Sequence, residues 1–304
     1  MRTGRLPEKP WTVEAVARLL AAIIVCILMG AVIAAVITYF GVSPHKYPAL
    51  FVAGVVGALG CFGGALCVLA RPWPFEKFLR NLLILLVCVY GGFLLMFAIG
   101  RLSGNHTESQ NSTVRALIAV LSFQGAALIL VQFFLRRHHT NWTEGFGFNV
   151  NPQHAVLLGL GAGVVVLPTV LGLQSVSVHV LEGLTFHPQE QEAVEILRAT
   201  SSWPDRFVLG IATIIIAPVA EEIIFRGILY PAIKRAGYPR IALWGTALLF
   251  GLIHLNVATF VPLTFLAVVL VLLYEHTGNL LTCITVHSFF NAANFVALYL
   301  YDQK

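Results

Sequence analysis

Charge is scarce in this chain. Of its 304 residues only 11% are Asp, Glu, Lys or Arg, against 58% hydrophobic, and the mean hydropathy is +0.84. Soluble domains carry about a quarter charged residues, so the composition excludes a water-soluble globule. It implies an all-α, polytopic integral membrane helix bundle in contact with lipid on its flanks. Paired cysteines are lacking as well. Cys26, Cys61, Cys67, Cys88 and Cys283 all fall in apolar runs without CxxC spacing, which reads as buried small hydrophobes rather than disulfides or metal ligands. There is no HExxH, no internal repeat and no low-complexity tract. Nor is there an aromatic-interleaved basic patch, so the net charge of +5 argues for no nucleic-acid partner.

A span needs about 20 apolar residues. Such runs lie at 13–40, 49–70, 82–100, 114–135, 155–173, 207–230, 240–258, 261–274 and 279–301. The run at 261–274 is short enough to tilt or re-enter, which predicts about eight or nine transmembrane helices. The first run is too long and too poorly flanked for a cleaved signal peptide. Basic residues collect in the N-terminal tail (Arg2, Arg5, Lys9) and in alternate loops (Arg71, Lys77, Arg80; Arg136, Arg137; Lys234, Arg235, Arg240), while Lys46 and Arg101 are among the few elsewhere. The positive-inside rule then puts the N-terminus in the cytoplasm and the protein in the cell membrane. The triplets beginning at Asn105 and Asn111 match glycosylation acceptors and carry no weight alone.

The first half, 1–140, reads as a scaffold of about four helices, with Gly57, Gly60, Gly63 and Gly64 suited to close packing. A polar stretch at 138–154 separates it from a core at 150–304. The loop at 188–198 has Ala193, Val194, Ile196 and Leu197 on one face of a short interfacial helix, either a solvated surface element or a lid.

The core contains the costly residues. Glu221 and Glu222 sit in the run 208–230, where a carboxylate costs about 2.5–3.5 kcal/mol on insertion scales. Glu222 and Arg226 are spaced i,i+4 with the acid first, the favourable order for a helical ion pair. Glu221 is rotated about 100° away and lacks that partner, so it is the candidate general base. The alternative is a structural ion pair beside a passenger acid. Pro218 can kink the helix nearby, and Gly227 admits a close neighbouring helix. Phe250 and His254 share a face, so the ring can wall a pocket for the imidazole, which is otherwise a hydrogen-bonded core residue. His287 and Asn291, again i,i+4, either aim two donors at one oxyanion or form a packing pair. On simple helix boundaries His254 lies nearer the outer face than Glu221 and His287.

Glu221-Glu222-x-x-x-Arg226, Phe250-x-x-x-His254 and His287-x-x-x-Asn291 occur in the order of the EExxxR, FxxxH and HxxxN motifs. In this the chain resembles the CPBP family of CAAX proteases and bacteriocin-processing membrane proteins, over roughly 150–304. The resemblance implies a glutamate-type intramembrane endopeptidase acting on a membrane-associated protein or peptide, with no cofactor and no metal. In it Glu221 activates water with help from His254, His287 and Asn291 form the oxyanion hole, and Glu222 and Arg226 support the site. A zinc protease on the same residues, a proton or ion transporter, and a silent scaffold or immunity protein remain the alternatives.

Overall fold

The computed structural model describes residues 6–7, 9–40, 59–60, 62–67, 69–70, 112–186, 188, 190–200 and 202–301, and among these every regular element is helical. Outside them lie the run at 82–100, most of that at 49–70, Gly57, Cys61, Cys88, Asn105, Asn111 and the basic residues of the second loop. Six of the described helices are long and apolar enough to cross a membrane. The chain is a polytopic helical membrane bundle.

Two compact units divide it. Residues 17–134 form one, and residues 135–304 form the other together with 1–16. In the former, α1 (Val13–Phe40) is followed, among the described helices, by α2 (Ser112–Val120), a π-turn at Leu121–Gly125 and α3 (Ala126–Arg137). Gly30 lies directly against Ser122 of the π-turn, where any Cβ would collide with the serine side chain. Leu19, Leu130, Val131 and Phe134 are fully buried there.

The other unit holds α4 (Trp142–Phe146), α5 (Pro152–Gly183), α6 (Glu192–Ala199) and α7 (Trp203–Ile211). A π-turn at Ala212–Ile216, α8 (Ala217–Glu222), a second π-turn at Ile223–Leu229 and α9 (Tyr230–Arg235) continue the chain. It ends in α10 (Pro239–Leu252), α11 (Val257–Thr277) and α12 (Leu280–Tyr301). The long α5 packs along α12 and α11. Its Gly159 and Gly163 are seated on Thr285 and Phe289, where a Cβ would come within 2.7 and 2.8 Å. Its opposite face leaves Leu157, Val164, Val165 and Val176 exposed, as a lipid-facing helix should.

Several span boundaries differ from the sequence reading, among them the run at 155–173, which continues to Gly183 in α5. The short run at 261–274 belongs to a full-length helix, α11, of 21 residues, while the run at 240–258 yields only a 14-residue helix, α10. The cause is a reversal at 253–256. Leu255 takes positive φ, and the Asn256 side chain accepts from the Thr259 amide, capping α11 four residues early. Gln191 Nε2, just before α6, donates to Thr259 Oγ1 at 2.9 Å, which docks the amphipathic loop helix over that reversal.

Candidate active site

The stretch 203–235 is one continuous helical run of 33 residues, broken in register rather than in direction. In the first π-turn the Ala217 amide reaches back five residues to the Ala212 carbonyl. In the same register the Thr213 carbonyl would look to residue 218, which is proline and has no N–H. Asn291 Nδ2 supplies the missing donor, at 2.9 Å. The second π-turn repeats the pattern, with the Tyr230 amide on the Phe225 carbonyl and Pro231 next in line. The widened turn begins directly after the two glutamates and carries Arg226, four residues beyond Glu222.

Four ionisable groups converge below this turn. Arg226 Nη1 donates to Glu222 Oε1 at 2.7 Å, with side chains 1% and 0% exposed. His287 Nδ1 contacts the same oxygen at 2.8 Å, and its Nε2 lies 3.9 Å from Glu221 Oε2. Glu221 is thus not isolated, as the spacing alone suggested, but faces an imidazole from the last span. A carboxylate oxygen therefore lies off each ring nitrogen of His287, at hydrogen-bond distance only on the Glu222 side. Glu222 Oε2 and Arg226 Nη2 are buried without a partner among the described residues.

Phe250, fully buried, is the hub. Its ring lies under the Arg226 guanidinium at 4.4 Å, edge-on to Phe225 at 5.3 Å and edge-on to His287 at 5.6 Å. The His254 ring is 5.0 Å away on another side. His254 stands beyond the end of α10, not on its face, yet its Nδ1 still reaches the Phe250 carbonyl at 2.7 Å. A carbonyl only accepts, so Nδ1 is the donor in that bond, and in the neutral imidazole Nε2 is the acceptor.

The structure therefore gathers Glu221, Glu222, Arg226, Phe250 and His287 into one cluster, with His254 joined through Phe250. Asn291 sits one turn along α12 from His287 and is bonded to backbone. Gly227 is packed by the Phe146 ring, 2.7 Å from where its Cβ would be, and by Leu280 of the neighbouring span α12, 3.3 Å away. Sequence reasoning passed over Phe146 and Thr213. The signal for Phe146 was an aromatic flanked by glycines in an otherwise polar stretch. For Thr213 it was the proline five residues on. Among the described residues no group of three or more His, Cys, Asp and Glu side chains is arranged to hold a metal ion.

Residues 203–293 match the family described as type II CAAX prenyl endopeptidase Rce1-like. This segment is Rce1-like. The match contains every residue of the cluster and agrees with the resemblance carried by the three motifs. The Rce1-like family is one of membrane endopeptidases, and its segment here runs from α7 into α12. No curated protein and no solved structure matches the chain.

Proposed function

We propose that this chain is an intramembrane endopeptidase that hydrolyses a peptide bond of a membrane-associated protein or peptide, using a glutamate-activated water and no metal. The observation that carries the reading is the convergence, inside the Rce1-like segment, of two buried glutamates on His287 beneath Phe250. Glu222 is engaged by Arg226 and His287 together, which leaves Glu221 as the acid with the freer carboxylate. Glu221 takes a proton from water, assisted by the acceptor Nε2 of His254, and the hydroxyl adds to the scissile carbonyl. His287 and the second N–H of Asn291 hold the oxyanion that forms. The proton then passes to the departing amine, giving a carboxylic acid and a free amine.

Residues 150–304 form the catalytic core in this reading, and 1–140 the scaffold. Basic segments at Lys9 and Arg235 meet at one end of the core, which supports a cytoplasmic N-terminus in the cell membrane. The test compares membranes carrying wild type and Glu221→Gln, both by peptide-level proteomics and with a quenched fluorescent prenylated CAAX peptide. Cleavage products should appear only with wild type. Equal cleavage by Glu221→Gln at equal abundance would remove the water-activating role.

A further inference from the structure

Lys9 reads in the sequence as one more cation of the tail, yet it is 2% exposed. Its ammonium donates to the Gly145 carbonyl and, at 3.1 Å, to Tyr274 Oη. It also stands 5.4, 5.2 and 5.7 Å from the ring centroids of Trp11, Phe146 and Tyr274. Cation–ring contacts of this kind gain strength as water is excluded. Arg235, at the end of α9, closes the arrangement by donating to the Lys9 carbonyl. The segment before α1 is therefore a strap tied across the end of the core.

What the strap presses on matters more than the strap itself. Phe146 is fully buried, between the Lys9 ammonium on one side and Gly227 on the other. Its edge fits Gly227 so closely that a Cβ there would lie 2.7 Å from Phe146 Cε1. Gly147 (φ 74°) is in turn seated on the Gly278 carbonyl, so the short helix carrying Phe146 has little freedom to slide. Gly227 follows Arg226 in the second π-turn, a backbone register that ordinary helical hydrogen bonding does not enforce. Something outside the turn has to hold it.

We propose that Lys9 is a positioning residue: by clamping Phe146 onto Gly227 it sets the π-turn from which Arg226 reaches Glu222 and, through Glu222, His287. Neither Lys9 nor Phe146 lies in the Rce1-like segment, so the device is additional to the match. The inference rests on the protease reading only for its effect on turnover.

The experiment uses the full chain in detergent micelles, as wild type, Lys9→Met, Lys9→Arg and Phe146→Leu. Hydrogen exchange by mass spectrometry is followed across 6–16, 142–148, 152–183 and 223–231, and turnover with the prenylated CAAX peptide. In Lys9→Met and Phe146→Leu the amides of 223–231 should exchange about tenfold faster, while 152–183 is unchanged. Lys9→Arg, which keeps N–H donors for the Gly145 carbonyl and the Tyr274 hydroxyl, should return part of the protection. Where wild type cleaves the peptide, kcat should fall in the two disruptive variants with KM unchanged, because no substrate contact is removed. Faster exchange confined to 6–16 and 142–148, or spread evenly over all four segments, would overturn the proposal. Should Lys9→Met fail to accumulate, Phe146→Leu alone decides it. A wild-type protein that cleaves no peptide would count against the protease reading and leave the exchange result standing.

Discussion

At the scale of single residues, the cluster is an exercise in who pays the desolvation of whom. Glu222 and Arg226 are both buried, and their 2.7 Å contact makes each tolerable to the other. Removing one partner of such a pair typically costs about 3–5 kcal/mol, since the survivor is left as an uncompensated buried charge. Glu222→Gln and Arg226→Ala should each lower the melting transition in detergent, and the double variant should lose less than the sum, because the two share one interaction. A melt equal to wild type for either single variant would contradict the pair. His287 adds to this expectation for Glu222, whose Oε1 it also holds. Much at this scale was legible in the sequence: costly residues in apolar runs need partners, and i,i+4 spacing names one of them. The link from His287 to both glutamates was not, since it joins positions 65 residues apart and depends on how two spans face each other.

At the scale of elements, the two π-turns decide what each helix presents. Neither was visible beforehand, because a proline announces only that one donor is missing, not that the ladder has already widened before it. Asn291 shows the cost and the remedy. Asn291→Ala leaves the Thr213 carbonyl unpaired, a loss of about 1–3 kcal/mol, read as a lower melting transition. Adding Pro218→Ala restores an N–H at residue 218 and should recover most of that stability. Cleavage should not recover with it if Asn291 also serves the oxyanion, so the double variant separates the two roles of one carboxamide. Recovery of both would leave Asn291 as a backbone partner alone. The reversal at 253–256 was equally hidden. Apolar residues continue through it, and only the positive φ of Leu255 and the Asn256 cap end α10 before His254.

At the scale of the whole molecule, the ends of the chain matter to its middle. Burial pushes the Lys9 ammonium down to about 7, with the Arg235 guanidinium adding to the shift. Freed from the core, the same lysine titrates at its ordinary 10.5. Between those values the seated lysine is the neutral amine, still a donor to the Gly145 carbonyl, while the released strap binds the extra proton, so closure strengthens as pH rises from about 7 to 10.5 and rests at its floor below 7. Limited proteolysis within 6–16 should accordingly slow across that window, and Lys9→Met should flatten the dependence. The sequence shows the tail as basic but not the cage around Lys9, since that cage draws on rings at 146 and 274, far along the chain. The seam of α5 has a consequence of a different kind. Gly159 and Gly163 touch Thr285 and Phe289, two residues to either side of His287 and so on the far side of α12. With the imidazole about 6 Å from its helix axis, a roll of roughly 10° sweeps it about 1 Å. A methyl group at Gly163, on a helix that lends no acid or base to the cluster, would act as an aiming error: the histidine would still be there, pointed slightly wide.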